Sequence, residues 1–201
     1  MKAVLQVEQL EPRLACYAVT PLYWQSLDVT VSIASEKLDT PTVQRALVSA
    51  LAKWDEASGV DFTIVPDDRS PLNVLGREQG DPRFGDVRVR SQRLPLNVLA
   101  AAYFPPRGGT DQTDLGGTGH GDVLLNSRYF NGKGGRPGFW GRPRYDLETV
   151  LLHEIGHAIG IAHSSERGSV MRPTVPRIPR RGLTADDVMA VRVLYGEEDG
   201  T

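Results

Sequence analysis

Residues 153–171 read HEIGHAIGIAHSSERGSVM, and three of the chain's four histidines, His153, His157 and His163, fall within this stretch. On a helix, residues four apart lie on one face, so His153 and His157 project side by side and can share one metal ion. Glu154 follows the first of them, where its carboxylate can reach a metal-bound water instead of the metal. Leu151, Ile155, Ala158 and Ile159 follow the spacing of an apolar face, which predicts a buried helix presenting two imidazoles to a cleft. Gly160 stands three residues past His157, where a left-handed residue can end the helix and turn the chain sharply. That turn would return His163 to the same metal. Three neutral imidazoles leave one position of a tetrahedral zinc open, as a catalytic site requires and a closed structural site does not. Zinc brings the pKa of a bound water to about 7, and Glu154 is placed to take its proton. The five-residue core alone also occurs by chance on ordinary amphipathic helices. Gly160, His163 and Met171 are what make the longer pattern specific.

The composition sets the frame around this motif. A chain of 201 residues with 40% hydrophobic and 24% charged residues fits one globular domain, with a short tail at most. A net charge of −2 gives no reason to expect nucleic acid or an anionic membrane surface. No apolar run approaches the roughly 18 residues of a membrane span, so a soluble protein is expected. The single cysteine excludes an intramolecular disulfide and a cysteine-built zinc ribbon. Polar residues from Gln6 to Arg13 interrupt the N-terminus, which carries no recognisable secretory signal.

Elsewhere, Leu27, Val29, Val31 and Ile33 alternate with polar neighbours and predict a half-buried strand over 27–35. Thr40-Pro41 offers a cap and a first-turn proline to a helix carrying Val43, Leu47, Ala50, Leu51 and Trp54, and Gly59 suits its end. Further strands are expected at 60–65, 72–75, 86–90, 97–104 and 122–126, with glycine-rich loops over 105–121 and 127–145. Asp146 can cap the helix that carries the motif. Thr184 and Asp187 resemble the capping box of a last helix with Val188, Val191 and Leu194 as its apolar stripe. The order of elements is that of an α+β domain.

HEIGHAIGIAH followed by SVM resembles a metzincin, and within that clan the matrixins, the catalytic domains of the matrix metalloproteinase type. Ser164, SVMRP at 169–173, LTADDVMAVRVLYG at 183–196, the strand–helix start with Trp54 and VLAAAYFPP at 98–106 all fit. The resemblance implies a mixed twisted sheet with a long helix packed on it, an active-site helix, a Met-turn and a C-terminal helix. It implies a zinc-dependent endopeptidase: His153, His157 and His163 hold one Zn2+, Glu154 is the general base, and Met171 with Gly160 supports the site. A protein or peptide substrate would lie extended along a rim formed by Leu99, Ala100, Ala101 and Ala102, with Pro173 also counted among the substrate-binding residues. The resemblance further implies a monomer that is secreted or held at the cell surface. A catalytically silent zinc module that binds proteins through the same groove is the alternative, and the intact Glu154 argues against it.

The chain departs from the family's pattern in several places. A second, three-histidine zinc site is ruled out by count, since only His120 remains, and Ala101 and Leu124 stand where ligand histidines are common. Calcium (Ca2+) stays open: Asp122 matches a family calcium-loop aspartate, Asn126 replaces another, and Asp111 and Asp114 lie in the glycine-rich loop. Cys16 raises latency by a cysteine on the open zinc position, but the fuller motif is missing and an inert thiol is the plainer reading. Residues 1–20 are therefore read as an N-terminal extension, a candidate prosegment, and 21–201 as the catalytic domain. Arg167, Arg172, Arg177, Arg180 and Arg181 form a basic stretch that would favour acidic substrate side chains if it lined the cleft.

Overall fold

The computed structural model describes residues 19–71, 78–106, 120–132, 145–175 and 178–196, so the strand expected at 72–75 and Cys16 lie outside the described residues. Strand β1 (Asp28–Ile33) leads into helix α1 (Pro41–Ser58), which returns the chain to β2 (Asp61–Ile64), parallel to β1. A helical crossover is what allows two sequential parallel strands to lie side by side. Strands β3 (Val87–Gln92), β4 (Ala100–Ala102) and β5 (Val123–Asn126) complete a sheet in the order β2-β1-β3-β5-β4. All its pairings are parallel except β4 on β5, which makes β4 an antiparallel edge strand. Helices α2 (Leu147–Ala158) and α3 (Ala185–Tyr195) follow. This is the expected mixed sheet of an α+β domain, with β4 shorter than the apolar run that announced it.

Helix α1 forms where its local signals place it. Thr40 accepts a hydrogen bond from the Val43 N–H, Pro41 opens the first turn, and Gly59 closes the helix at φ 72°. Val43, Leu47, Ala50, Leu51 and Trp54 are all buried, each large apolar side chain contributing about 1.5–3 kcal/mol. The rings on the far side of α2 are fastened as well as buried. Trp54 Nε1–H donates to Leu152 O at 2.8 Å, and Trp24 Nε1–H donates to Ala158 O at 2.9 Å. Tyr195 Oη–H, from the end of α3, donates to Ile159 O at 3.0 Å. Three aromatic donors on two other helices and the N-terminal segment thus hold α2 by its carbonyls. Gly156 allows the approach: a Cβ there would lie 2.4 Å from Met171 Sδ and 2.9 Å from Trp54.

One place adds to the sequence expectation and a second differs from it. In β3, Val87 and Val89 face the core, but Arg88 on the opposite face is buried too. Segment 67–71 covers that face. Arg88 makes a two-armed contact with Asp67 (Nε 2.8 Å, NH2 2.6 Å), donates to Ser70 O and Pro71 O, and stacks 4.2 Å from the Phe84 ring centre. Ser32 Oγ–H donates to the same carboxylate. In α3 the buried face is Asp187, Ala190, Val191 and Tyr195, with Val188 and Leu194 only at its border. The helix is rotated because Asp187 and Tyr195 have hydrogen-bonding partners inside the protein, which hydrophobic periodicity does not register.

Burial pushes the Asp67 carboxyl up, but hydrogen bonds from Arg88, Ser32 and the Arg69 N–H, with the Arg88 charge, outweigh it and hold the group below its ordinary 3.8. Asp67→Ala would leave the guanidinium buried without its carboxylate and is expected to lower unfolding free energy by about 3–5 kcal/mol, read from urea denaturation. Since the folded value lies below the unfolded one, the wild-type advantage is complete above pH 3.8 and is lost as pH falls through the folded value. An advantage that did not shrink on acidification would contradict this account.

Candidate metal centre

Asp146 caps α2 by accepting from the Thr149 N–H, and Glu148 sits in the positive first turn. The helix then carries His153, Glu154 and His157 into the interior, all three essentially without solvent contact. It ends at Gly160, as expected, at φ 96°. Gly160 N–H donates to His157 O and Ile161 N–H to Gly156 O, the paired bonds of a Schellman turn. A Cβ on Gly160 would stand 2.2 Å from Leu22 O, so both the backbone angle and the close approach require glycine. The turn brings His163 back to the other two rings. Ligand nitrogens of His153, His157 and His163 all lie within 4.8 Å of one another, the one such group among the described residues.

The rings are orientated by main-chain carbonyls. His153 Nδ1 stands 2.7 Å from Val170 O and His157 Nδ1 stands 2.6 Å from Ile161 O. A carbonyl can only accept, so both neutral rings carry their proton on Nδ1 and point a bare Nε2 inward. Those two Nε2 atoms are 3.0 Å apart. His163 Nε2 and Glu154 Oε1 are buried with no hydrogen-bond partner among the described residues. Lone pairs facing each other in an apolar interior are repulsive unless a cation lies between them. Zinc–nitrogen bonds of about 2.0–2.1 Å at tetrahedral angles separate ligand nitrogens by about 3.3 Å, so this donor set fits a zinc ion.

Burial, then the neighbouring His163, lowers His153 from 6.5 to about 3, with the Val170 carbonyl partly opposing. Burial, His153 and His163 hold His157 well below the ordinary imidazole range, and burial lowers His163 to about 4. The rings are therefore neutral, as metal ligands must be. Burial pushes Glu154 well above the ordinary carboxyl range, and a dication in the site would act in the opposite direction.

Surrounding residues hold this arrangement. Met171 is fully buried beneath α2 at Gly156, and its carbonyl accepts from Ser164 N–H at 3.0 Å, tying the residue after His163 to the Met-turn. Thr20 donates to Gly160 O through both its N–H and its hydroxyl, and Val19 forms an antiparallel bridge with Ile161. Phe104 meets His157 edge-on at 5.5 Å between ring centres. Asp187, from α3, accepts from the Ser169 hydroxyl and the Val170 N–H. Phe104, Gly156, Thr20, Ser169 and Asp187 were not singled out for these contacts in the sequence. Only Asp187 carried a signal, and that signal was for a helix cap.

The other expected residues are placed as follows. Leu99, Ala100 and Ala102 are buried, Ala101 and Pro173 half-buried. Leu99 O accepts from Asn126 N–H and Tyr103 N–H donates to Asp122 O, so odd-numbered residues of this strand face β5. The main-chain groups of Ala100 and Ala102 consequently face away from β5. Ala101 stands directly opposite Leu124, so a small and a large apolar side chain sit in register there. Asn126 spends its carboxamide on the segment before β4, donating to Leu94, Pro95 and Val98 carbonyls and accepting from the Leu94 and Arg128 N–H groups. Its role is to hold that loop. Asp122 and His120 border β5, whereas Asp111, Asp114 and Arg177 lie outside the described residues. Of the basic stretch, Arg181 pairs with Asp146 and Glu148, and Arg180 donates to main-chain carbonyls.

A sequence model of the family described as Matrixin matches residues 23–196. The chain is 27% identical to neutrophil collagenase of Homo sapiens over 179 residues, which is 86% of this chain and 33% of the collagenase. It is 29% identical to Homo sapiens matrix metalloproteinase-23 over 93% of this chain and 47% of that protein. With metalloendoproteinase 1 of Glycine max the identity is 28%, over 86% of this chain and 52% of the relative. The chain thus spans from about a third to about half the length of these relatives.

The turn at Gly160 yields a prediction. Gly160→Ala is expected to cost about 1–3 kcal/mol in stability and to weaken zinc binding, because Ile161 O and His163 both move with the turn. Thermal melting and zinc titration of the folded variant would check it. Wild-type zinc affinity would show that the ligand geometry does not depend on this backbone angle.

Proposed function

This chain belongs to the matrixin family, and we propose that it is a zinc-dependent endopeptidase with His153, His157 and His163 as ligands and Glu154 as general base. The observation that carries the reading is the group of inward-facing acceptors: two Nε2 atoms 3.0 Å apart, with His163 Nε2 and Glu154 Oε1 unpartnered beside them. A bound zinc supplies Lewis acidity, polarising a scissile carbonyl and bringing the pKa of a coordinated water to about 7.

The protein's own residues supply the rest. Val170 O and Ile161 O keep His153 and His157 in the tautomer that leaves Nε2 bare. Glu154 takes the proton of the attacking water and returns it to the leaving amine nitrogen. Its Oε1 has no partner to give up before it does so. An extended peptide adds along β4, the end strand of the sheet, with the outward main-chain groups of Ala100 and Ala102 as its partners and Leu99, Ala101 and Pro173 bordering the cleft. Backbone pairing of this kind reads main chain first and side chains second. Thr20 and Val19 hold the Gly160 turn, which supports counting them with the catalytic unit although the boundary drawn from sequence left them outside it. Family membership also supports a secreted or cell-surface location and action as a monomer.

The test is cleavage of casein by the purified protein, alongside a zinc chelator and the Glu154→Ala variant, with zinc content measured in each. The expected outcome is one zinc per chain, loss of cleavage on chelation, and a variant that keeps its zinc while losing about 10²–10⁴-fold in rate. One tightly bound zinc with no cleavage of casein or of a peptide library would favour the silent binding module instead.

A further inference from the structure

We propose that Arg180 is a positioning residue for the metal ligand His153, an inference that rests on the reading of the three histidines as a zinc centre. The His153 ring is aimed by one bond, Nδ1–H to Val170 O. Donor and acceptor belong to different pieces of the protein. His153 rides on α2, whereas Val170 sits on the loop 17 residues later. The ring is therefore aimed only as well as those two pieces are held together.

Arg180 is bonded to both. Its main-chain N–H donates to Thr149 Oγ1 at 3.0 Å, one helical turn before His153 on the same face of α2. Its guanidinium donates to Ser169 O at 2.8 Å and to Arg167 O at 2.9 Å, on the loop side. Ser169 O belongs to the same peptide group as the Val170 N–H, and that N–H donates to the Asp187 carboxylate at 3.1 Å. One peptide unit is thus held by a cation at its oxygen and by an anion at its nitrogen, both charge-assisted bonds. Asp187 is itself fixed, accepting from the Ser169 hydroxyl and from the N–H and hydroxyl of Thr184. The next peptide, which carries Val170 O, is held in turn by its Met171 N–H donating to Ser169 Oγ at 2.9 Å, so both peptides that flank Val170 are fixed from this network.

This assignment gives two arginines of the basic stretch different work. Among the described residues, Arg181, next in the chain, reaches only Asp146 and Glu148 near the start of α2 and makes no bond to residues 167–170. It is the internal control. Both are arginines of one segment, and only one spans helix and loop.

The experiment measures zinc, not proteolysis. Arg180→Met keeps the aliphatic stem and removes the guanidinium donors. It is expected to bind zinc about 10–100-fold more weakly, the usual consequence of losing a group that orients a ligand. Release to a chelator should be correspondingly faster, and the visible bands of the cobalt-substituted protein should shift. Arg180→Lys, which can still reach one carbonyl, should recover part of the affinity, and Arg181→Met should keep all of it. Thr149→Val removes the helix-side acceptor with little change in volume. It should weaken zinc binding in the same direction, and it provides the test if Arg180→Met does not fold. Wild-type zinc affinity in folded Arg180→Met, or in Thr149→Val if that variant stands alone, overturns the proposal. Equal losses in Arg180→Met and Arg181→Met overturn it too, since they would show that anchoring the segment is what matters. A wild-type protein that binds no zinc would instead refute the metal-centre reading underneath.

Discussion

Two imidazoles that give their Nδ1 protons to carbonyls must turn both Nε2 lone pairs inward, and much of this protein serves to hold that arrangement. The carbonyl for His157 comes from Ile161, one residue beyond the glycine turn that ends α2. The carbonyl for His153 comes from Val170, on the far side of the Met-turn loop. Neither acceptor is adjustable by a side-chain rotation. The site is consequently as rigid as the backbone that supplies them, which is how a centre of this type keeps its ligands in one tautomer and one direction. Trp54, Trp24 and Tyr195 press the same logic outward, each donating to a carbonyl on or at the end of α2.

Beyond the histidine group, several residues are committed to contacts within the protein. Ala101 and Leu124 face each other across β4 and β5 and add apolar surface there. Asn126 turns its amide onto the carbonyls of residues 94, 95 and 98 and holds the approach to β4. Arg88 and Asp67 form a buried charge pair under segment 67–71, satisfied by two further carbonyls and a serine. Such a pair is costly to desolvate and contributes when each partner is fully hydrogen-bonded, as these are. The chain covers only about a third to about half of its relatives' length, and among the described residues the histidine group is the one cluster that could hold a metal.

Much of this was legible residue by residue. The cap at Thr40, the proline after it and the glycine at 59 bound α1 because capping is settled within a few residues of chain. The pairing of His153 with His157 was legible for the same reason, since a helix fixes what lies four residues on. Gly160 announced its turn because few other residues adopt its backbone angle. The burial of Arg88, by contrast, was not legible, because the covering segment 67–71 has no periodic signature to reveal it. The stripe read for α3 missed Asp187 and Tyr195, because a polar residue buried by hydrogen bonds looks like a surface residue to any hydrophobic pattern.

Local chemistry therefore decided which histidines come together on α2 and its turn, and where the helices start and stop. These depend on spacings of three to seven residues, and a chain carries that information in its order. Tertiary structure alone decided what aims the ligands: that Val170 lends its carbonyl to His153, that Asp187 and Arg180 grip opposite ends of one peptide, and that Thr20 closes on Gly160 from 140 residues away. Main-chain carbonyls are the same in every residue. No sequence pattern can mark the one that will accept a particular proton, and only the folded path of the chain brings it there.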